Sequence, residues 1–111
     1  MEITLHDEGR VTVVSLFGDL VIGDPEAEFK RTIGALLEAG KVDILVDCRS
    51  LKIVDSSGLG ALVRALTTSQ HEGGQTKLFG IRPGVKKVLD LTRLGSVFEI
   101  FDDRDLALSS F

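Results

Sequence analysis

The segment from Val42 to Cys48 constrains the fold more than any other part of the chain. It reads Val-Asp-Ile-Leu-Val-Asp-Cys, an almost continuous run of strand-forming apolar residues. Such a run is expected of a strand that is buried on both faces of a sheet. Strands of this kind are typical of parallel sheets, in which helices connect one strand to the next. The segment therefore predicts an α/β protein, provided that helical patterns flank it.

Helical patterns do flank this strand. Before it, a helix is predicted to begin at Asp24 and Pro25, because Asp caps helices and Pro favours the first helical position. Gly40 fits the end of that helix. After the strand, a second helix is predicted by apolar residues at positions i, i+3, i+4 and i+7, namely Leu59, Leu62, Val63 and Leu66.

The remaining segments complete an alternation of strands and helices. Further strands are predicted over residues 3–6, 11–17, 77–80 and 97–101, with a hairpin turn at residues 7–9. A third helix is predicted to begin at Pro83, and a short fourth helix to be capped by Asp102. The order ββαβαβαβα implies parallel pairings plus one antiparallel hairpin. Residues 1–111 are therefore predicted to form one α/β domain with a mixed five-stranded sheet and about four helices.

Charge and cysteine content exclude several classes of function. With 17 acidic and 13 basic residues, the chain carries a net charge of −4 and lacks the basic surface that nucleic acids or anionic membranes attract. The densest basic patch is interpreted as a solvated helix face; it comprises Arg82, Lys86, Lys87 and Arg93. The single cysteine, Cys48, excludes an internal disulfide and a zinc site built on cysteine pairs. Without a signal peptide pattern or an apolar run of ~18 residues, the chain is expected to be cytoplasmic, with no metal, no cofactor and no membrane insertion.

The segment Val54 to Gly60 is the strongest candidate for a functional site. It joins the central strand to the second helix and places Asp55, Ser56 and Ser57 at a helix N-terminus. Helix capping explains one of these three polar side chains. Ligands also tend to bind at the carboxyl ends of strands in open α/β sheets.

Four kinds of chemistry compete for this loop. A phosphate-binding loop needs a Lys after its glycines, and a dinucleotide site needs a third glycine, whereas only Gly58 and Gly60 are present. A serine hydrolase would need Gly where Asp55 stands. Its general base would be His6 or His71, and no motif places either histidine. A phosphoacceptor serine needs only an accessible hydroxyl.

The segment Asp55-Ser56-Ser57-Gly58-Leu59-Gly60 resembles the signature of the STAS domain of bacterial anti-sigma factor antagonists. The resemblance extends over nearly the whole chain. It includes Gly18-Asp19-Leu20, Val46-Asp47, the segment Ile81 to Val85, the segment Leu94 to Ile100, and Ala107-Leu108.

This resemblance implies a non-enzymatic switch protein. Members of the family bind an anti-sigma factor that is also a serine kinase, which frees a sigma factor for transcription. The kinase phosphorylates the serine before the first glycine, here Ser57, and a serine phosphatase reverses the modification. Ser56 would cap the helix or orient the loop. The implied partner-binding residues are Gly18, Asp19, Leu20, Val21, Asp24, Asp55, Ser56, Ser57, Gly58, Leu59 and Gly60.

One segment of the chain departs from the family pattern. Family members often carry Asp where this chain has Val21, and the loop from Val21 to Asp24 is about one residue longer than in those members. This loop should lie beside Ser57.

The alternatives to an anti-sigma factor antagonist are a stressosome component, an accessory subunit of a membrane transport complex, or an enzyme that uses Asp55 and Ser57. A phosphate on Ser57 is expected to leave the fold intact.

Two kinds of residue in the central strand could suggest a metal site or a reactive thiol. Asp43 and Asp47 are interpreted as exposed or loop-end carboxylates rather than as a metal pair. Cys48 is interpreted as a small buried apolar residue rather than as a reactive thiol.

Overall fold

A computed structural model describes residues 1–111, in which strands and helices alternate as the sequence predicts. The elements are β1 (Glu2–Glu8), β2 (Val11–Leu20), α1 (Asp24–Glu38), β3 (Asp43–Val54), α2 (Ser56–His71), β4 (Gln75–Phe79), α3 (Pro83–Leu91), β5 (Ile100–Phe101) and α4 (Arg104–Ser109). The sheet has the order β1-β2-β3-β4-β5, with β1 antiparallel to β2 and the other neighbours parallel. The prediction of an α/β fold with a mixed five-stranded sheet and four helices is confirmed.

Alternating residues of the inner strands pack on opposite faces of the sheet. Val14 and Val46 belong to the main core of 20 buried residues, to which α1, α2 and α3 all contribute. Val13 and Leu45 point to the other face, where they pack with Ala107 of α4 in a smaller cluster of five. Cys48 is fully buried in the main core, as predicted.

The ends of β2 and β3 lie side by side and position the loops that follow them. Both strands are longer than predicted and pair as far as Leu20 with Val54. Two register shifts, between Ser15 and Phe17 and between Gly18 and Asp19, each place one extra residue in β3. The β2–α1 and β3–α2 loops therefore leave the same carboxyl edge of the sheet, where open α/β folds usually carry their sites.

Helix α1 begins at Asp24 as predicted, but neither Asp24 nor Asp102 caps its helix. Gly23 precedes α1 with a φ of +103° and no side chain caps this helix, so Asp24 is its first residue. Asp103 rather than Asp102 caps α4, because its carboxylate accepts a hydrogen bond from the Leu106 amide at 3.0 Å.

Two other predicted boundaries also shift. The hairpin turn lies at Gly9 and Arg10, because β1 continues through Glu8. The predicted strand 97–101 shrinks to the two residues of β5, because the Val97 amide turns back to the Leu94 carbonyl at 3.1 Å.

Asp47 is not an exposed carboxylate, contrary to the prediction. The residue is only 6% exposed, and its carboxylate accepts hydrogen bonds from the Ser15 hydroxyl at 2.9 Å and from both the amide and the guanidinium of Arg49. Burial alone would raise the pKa of Asp47, but the hydrogen bonds from Arg49 and Ser15 outweigh it and hold the pKa below its usual value. Asp43 is half-buried and lies 3.6 Å from Arg10.

Candidate functional site

Helix α2 begins with a cap supplied by Asp55. The backbone of Asp55 is extended, and its Oδ1 accepts a hydrogen bond from the Gly58 amide at 2.8 Å. This is the usual N-cap arrangement, in which a short polar side chain satisfies a free amide of the first turn. Of the two roles predicted for Ser56, that of helix cap is therefore wrong, because Ser56 and Ser57 are the first two residues of the helix.

The Asp55 carboxylate also holds the β2–α1 loop in place through a hydrogen bond. Asp55 Oδ2 accepts a hydrogen bond from the Ile22 amide at 2.9 Å, across 33 residues of chain. The amides of Ile22 and then of Gly58 hold the pKa of Asp55 below its usual value. Asp55 thus joins the β2–α1 loop to the first turn of α2. The loop from Val21 to Asp24 therefore lies next to the turn that leads into Ser57.

Gly58 brings α2 against the end of β2. A Cβ atom at Gly58 would overlap the carbonyl group of Leu20, so only glycine allows this approach. The Leu20 carbonyl also accepts a hydrogen bond from the Asp55 amide at 3.4 Å. A Cβ atom at Gly60, in contrast, would meet no atom within 4 Å. The close approach that Gly58 allows is therefore within this chain, whereas the surface at Gly60 is open.

The two serines present accessible hydroxyls at a helix N-terminus. Ser56 is exposed and Ser57 is half-buried, and neither hydroxyl hydrogen-bonds to another group of the chain. The amides of the first helical turn have no partners within a helix, and the positive end of the helix dipole lies here. This arrangement favours a negative charge at the turn.

Comparison with known proteins identifies the fold family. The sequence profile of the STAS domain matches residues 2–107. The chain belongs to the STAS domain family. This STAS domain is 24% identical to an anti-sigma F factor antagonist from Paenibacillus polymyxa over 109 residues, 98% of this chain and 93% of the relative.

Solved structures show the same fold. A proposed anti-sigma factor antagonist from Thermotoga maritima superposes with a TM-score of 0.90 at 24% identity, covering 97% of this chain and 92% of that one. The phosphorylated form of the Bacillus cell fate determinant SpoIIAA superposes with a TM-score of 0.77 at 22% identity, covering 98% of each chain. No helix of this STAS domain is both long and apolar enough to span a membrane.

The STAS domain brings most of the predicted partner-binding residues to one edge. Asp19 pairs with Ile53 at the strand ends, next to the Asp55 turn. Leu20 and Leu59 bury their side chains in the core, so they support this edge from beneath. The residues with exposed or half-buried surface at or near the edge are Gly18, Asp19, Val21, Asp24, Asp55, Ser56, Ser57 and Gly60.

Sequence reasoning missed two apolar residues of this edge. Ile22 is 70% exposed and Ile53 is 56% exposed. Ile22 donates its amide to Asp55, and Ile53 lies two residues before Asp55 in the chain. Simple alternation after the buried Leu51 would place Ile53 in the core, but the register shift between Gly18 and Asp19 interrupts it, and both Lys52 and Ile53 are exposed. An isoleucine in a strand is usually predicted to be buried, so the exposure of Ile53 was not predicted from the sequence.

Proposed function

We propose that this STAS domain is an anti-sigma factor antagonist whose binding is switched by phosphorylation of Ser57. The observation that carries the proposal is the Ser57 hydroxyl, which is accessible and free of internal hydrogen bonds in the first turn of α2. In the unphosphorylated form, the domain binds an anti-sigma factor serine kinase in the cytoplasm and thereby frees a sigma factor. A serine phosphatase restores the binding form.

The choice of Ser57 over Ser56 rests on the family position. Capping does not separate the two serines, because Asp55 fills that role. The serine that precedes the first glycine is the acceptor in the family that this chain resembles. Transfer moves the γ-phosphoryl group of ATP to Ser57 Oγ; the bond from the γ-phosphorus to the bridging oxygen breaks, and ADP and the hydroxyl proton leave.

The phosphate would act on the interface rather than on the fold. It adds ~−1.5 to −2 charge beside Asp55, whose depressed pKa keeps its carboxylate ionised at neutral pH. The helix N-terminus partly stabilises this charge within the domain. A partner surface fitted to a hydroxyl would instead have to desolvate the phosphate, which opposes binding.

The apolar anchors of the interface are Ile22 and Ile53. Both are exposed; Ile22 is hydrogen-bonded to Asp55 through its amide, and Ile53 lies two residues before Asp55, so a partner that covers this edge would bury them. Such residues gain affinity when a partner removes them from water, at about 25 cal/mol per Å² of buried apolar surface. Replacing either residue with Ser should therefore weaken binding to the kinase.

A catalytic role for Asp55 and Ser57 finds less support. His71 lies 14 residues after Ser57 in the same helix, which separates the two by roughly 21 Å at 1.5 Å per residue. His6 of β1 pairs with Val13, seven residues before the carboxyl end of β2 at Leu20, and its ring contacts Glu8 at 2.7 Å. No histidine is thus placed to activate Ser57 as a nucleophile. Ester hydrolysis by the purified domain that disappears in Ser57→Ala would support the enzyme alternative.

The test is phosphorylation by the cognate kinase with ATP, followed by peptide mass spectrometry. We expect one phosphate, on Ser57, in the wild-type chain and in Ser56→Ala. Ser57→Ala should accept none and should still bind the kinase. A phosphate on Ser56 or on a threonine would refute the assignment of the acceptor.

A further inference from the structure

An open apolar groove lies between α1 and α2, outside the Ser57 turn. It encloses about 160 Å³, and its floor consists of the buried residues Phe29, Ile33, Ala61 and Ala65. The two alanines of α2 are small, so α2 does not fill the space that faces α1. No residue of the predicted partner-binding edge lines this groove.

Gly34 keeps the groove open on the side of α1. A glycine inside a helix weakens that helix relative to alanine. Close packing does not require it here, because a Cβ atom at Gly34 would meet no atom within 4 Å. The missing side chain therefore leaves open volume, without bringing the two helices closer together.

Two cations stand at the rim of the groove. Lys30 of α1 contacts Glu26 at 3.1 Å. Arg64 of α2 is exposed and takes part in none of the ion pairs of the chain. A free guanidinium beside an apolar floor fits a ligand that has a carboxylate at one end and a hydrocarbon chain at the other.

We propose that this groove binds a carboxylate with a chain of six to eight carbons. The alkyl chain lies on the floor between α1 and α2, and the carboxylate accepts hydrogen bonds from Arg64. The volume suits this occupant, since an apolar cavity of about 150 Å³ holds a six-carbon hydrocarbon such as benzene. The proposal goes beyond the switch at Ser57 and does not depend on it.

The test is an NMR titration of the full chain with butanoate, hexanoate, octanoate and hexan-1-ol. Each methylene buried should tighten binding about fourfold, from the ~0.8 kcal/mol gained per buried CH₂. Hexanoate should bind more tightly than hexan-1-ol because only the carboxylate pairs with Arg64. Shifts should concentrate on the methyl and amide signals of the groove. Absence of such shifts with every chain length would overturn the proposal.

Four variants separate the apolar and the charged contributions. Gly34→Leu should fill the groove and lower hexanoate affinity at least tenfold with an unchanged or higher Tm, whereas Ala35→Leu, on an exposed position of the same helix, should bind as wild type does. Arg64→Gln should reduce hexanoate affinity to that of hexan-1-ol, and Arg31→Gln should leave it unchanged. If Gly34→Leu and Ala35→Leu lose hexanoate affinity equally, or if Arg64→Gln loses none, the ligand binds elsewhere and the proposal is wrong.

Discussion

Replacement of Gly58 by alanine tests how α2 is held against the end of β2. The new Cβ atom would overlap the carbonyl group of Leu20. Because the obstacle is backbone rather than a flexible side chain, the end of β2 or the start of α2 has to move. That movement would also disturb the hydrogen bond from the Asp55 amide to the Leu20 carbonyl.

The size of the effect follows from two opposing contributions. Inserting a methyl group into a close contact costs up to about 3 kcal/mol, and replacing glycine by alanine in a helix recovers at most about 1 kcal/mol. The net loss in the free energy of unfolding is about 2 kcal/mol. For a domain of this size, 1 kcal/mol shifts Tm by about 4 °C, so Gly58→Ala should melt about 8 °C below the wild type.

Gly60→Ala is the matched control. It lies one half-turn further along the same helix, where a Cβ atom meets nothing within 4 Å. Only the helix preference for alanine remains, so Tm should rise by about 4 °C. Thermal unfolding followed by circular dichroism measures both variants. If Gly58→Ala melts at or above the wild-type temperature, the close contact with Leu20 does not hold the helix as we infer.

Three further results are expected. The free energy of unfolding of the wild type should decline as the pH falls below about 4, because protonation removes the hydrogen bonds that keep the pKa of Asp55 low in the folded state. Over the same pH range, the urea midpoint of Asp55→Asn should decline less steeply than that of the wild type. Burial, with the nearby Asp47 charge, raises the pKa of the Cys48 thiol, so a thiol reagent should label it only at the rate of unfolding; rapid labelling of the native chain would contradict this. Phosphorylation of Ser57 should leave Tm nearly unchanged and confine amide NMR shifts to the edge around the Asp55 turn; shifts spread through the sheet would indicate a conformational mechanism.

The order of strands and helices was predictable because the two periodicities are distinct. The continuous apolar run before Cys48 suits a buried strand, and the spacing from Leu59 to Leu66 suits one face of a helix. The continuous run can bury its apolar residues only as a strand, and the spaced residues can share one buried face only in a helix. The element ends were less predictable, since Asp24 and Asp102 have the same capping chemistry as the residues that do cap α2 and α4.

The polar contacts within the site depend on distant parts of the chain. The motif at Asp55 was readable from sequence, but its hydrogen bond to Ile22 spans 33 residues. Likewise, Asp47 looks like an exposed carboxylate until Ser15, 32 residues away, is placed beside it. Pairings of this length arise from the register of β2 against β3, which local patterns do not specify.

The most direct test of the switch is the affinity of the two forms for one anti-sigma factor kinase. Titration calorimetry should compare the unphosphorylated chain with the chain phosphorylated on Ser57. Placing the phosphate against an uncompensated surface should cost about 3 kcal/mol, which weakens binding roughly 100-fold. Ser56→Ala should retain this difference. Equal affinity of the phosphorylated and unphosphorylated chains would contradict the proposal that Ser57 controls partner binding.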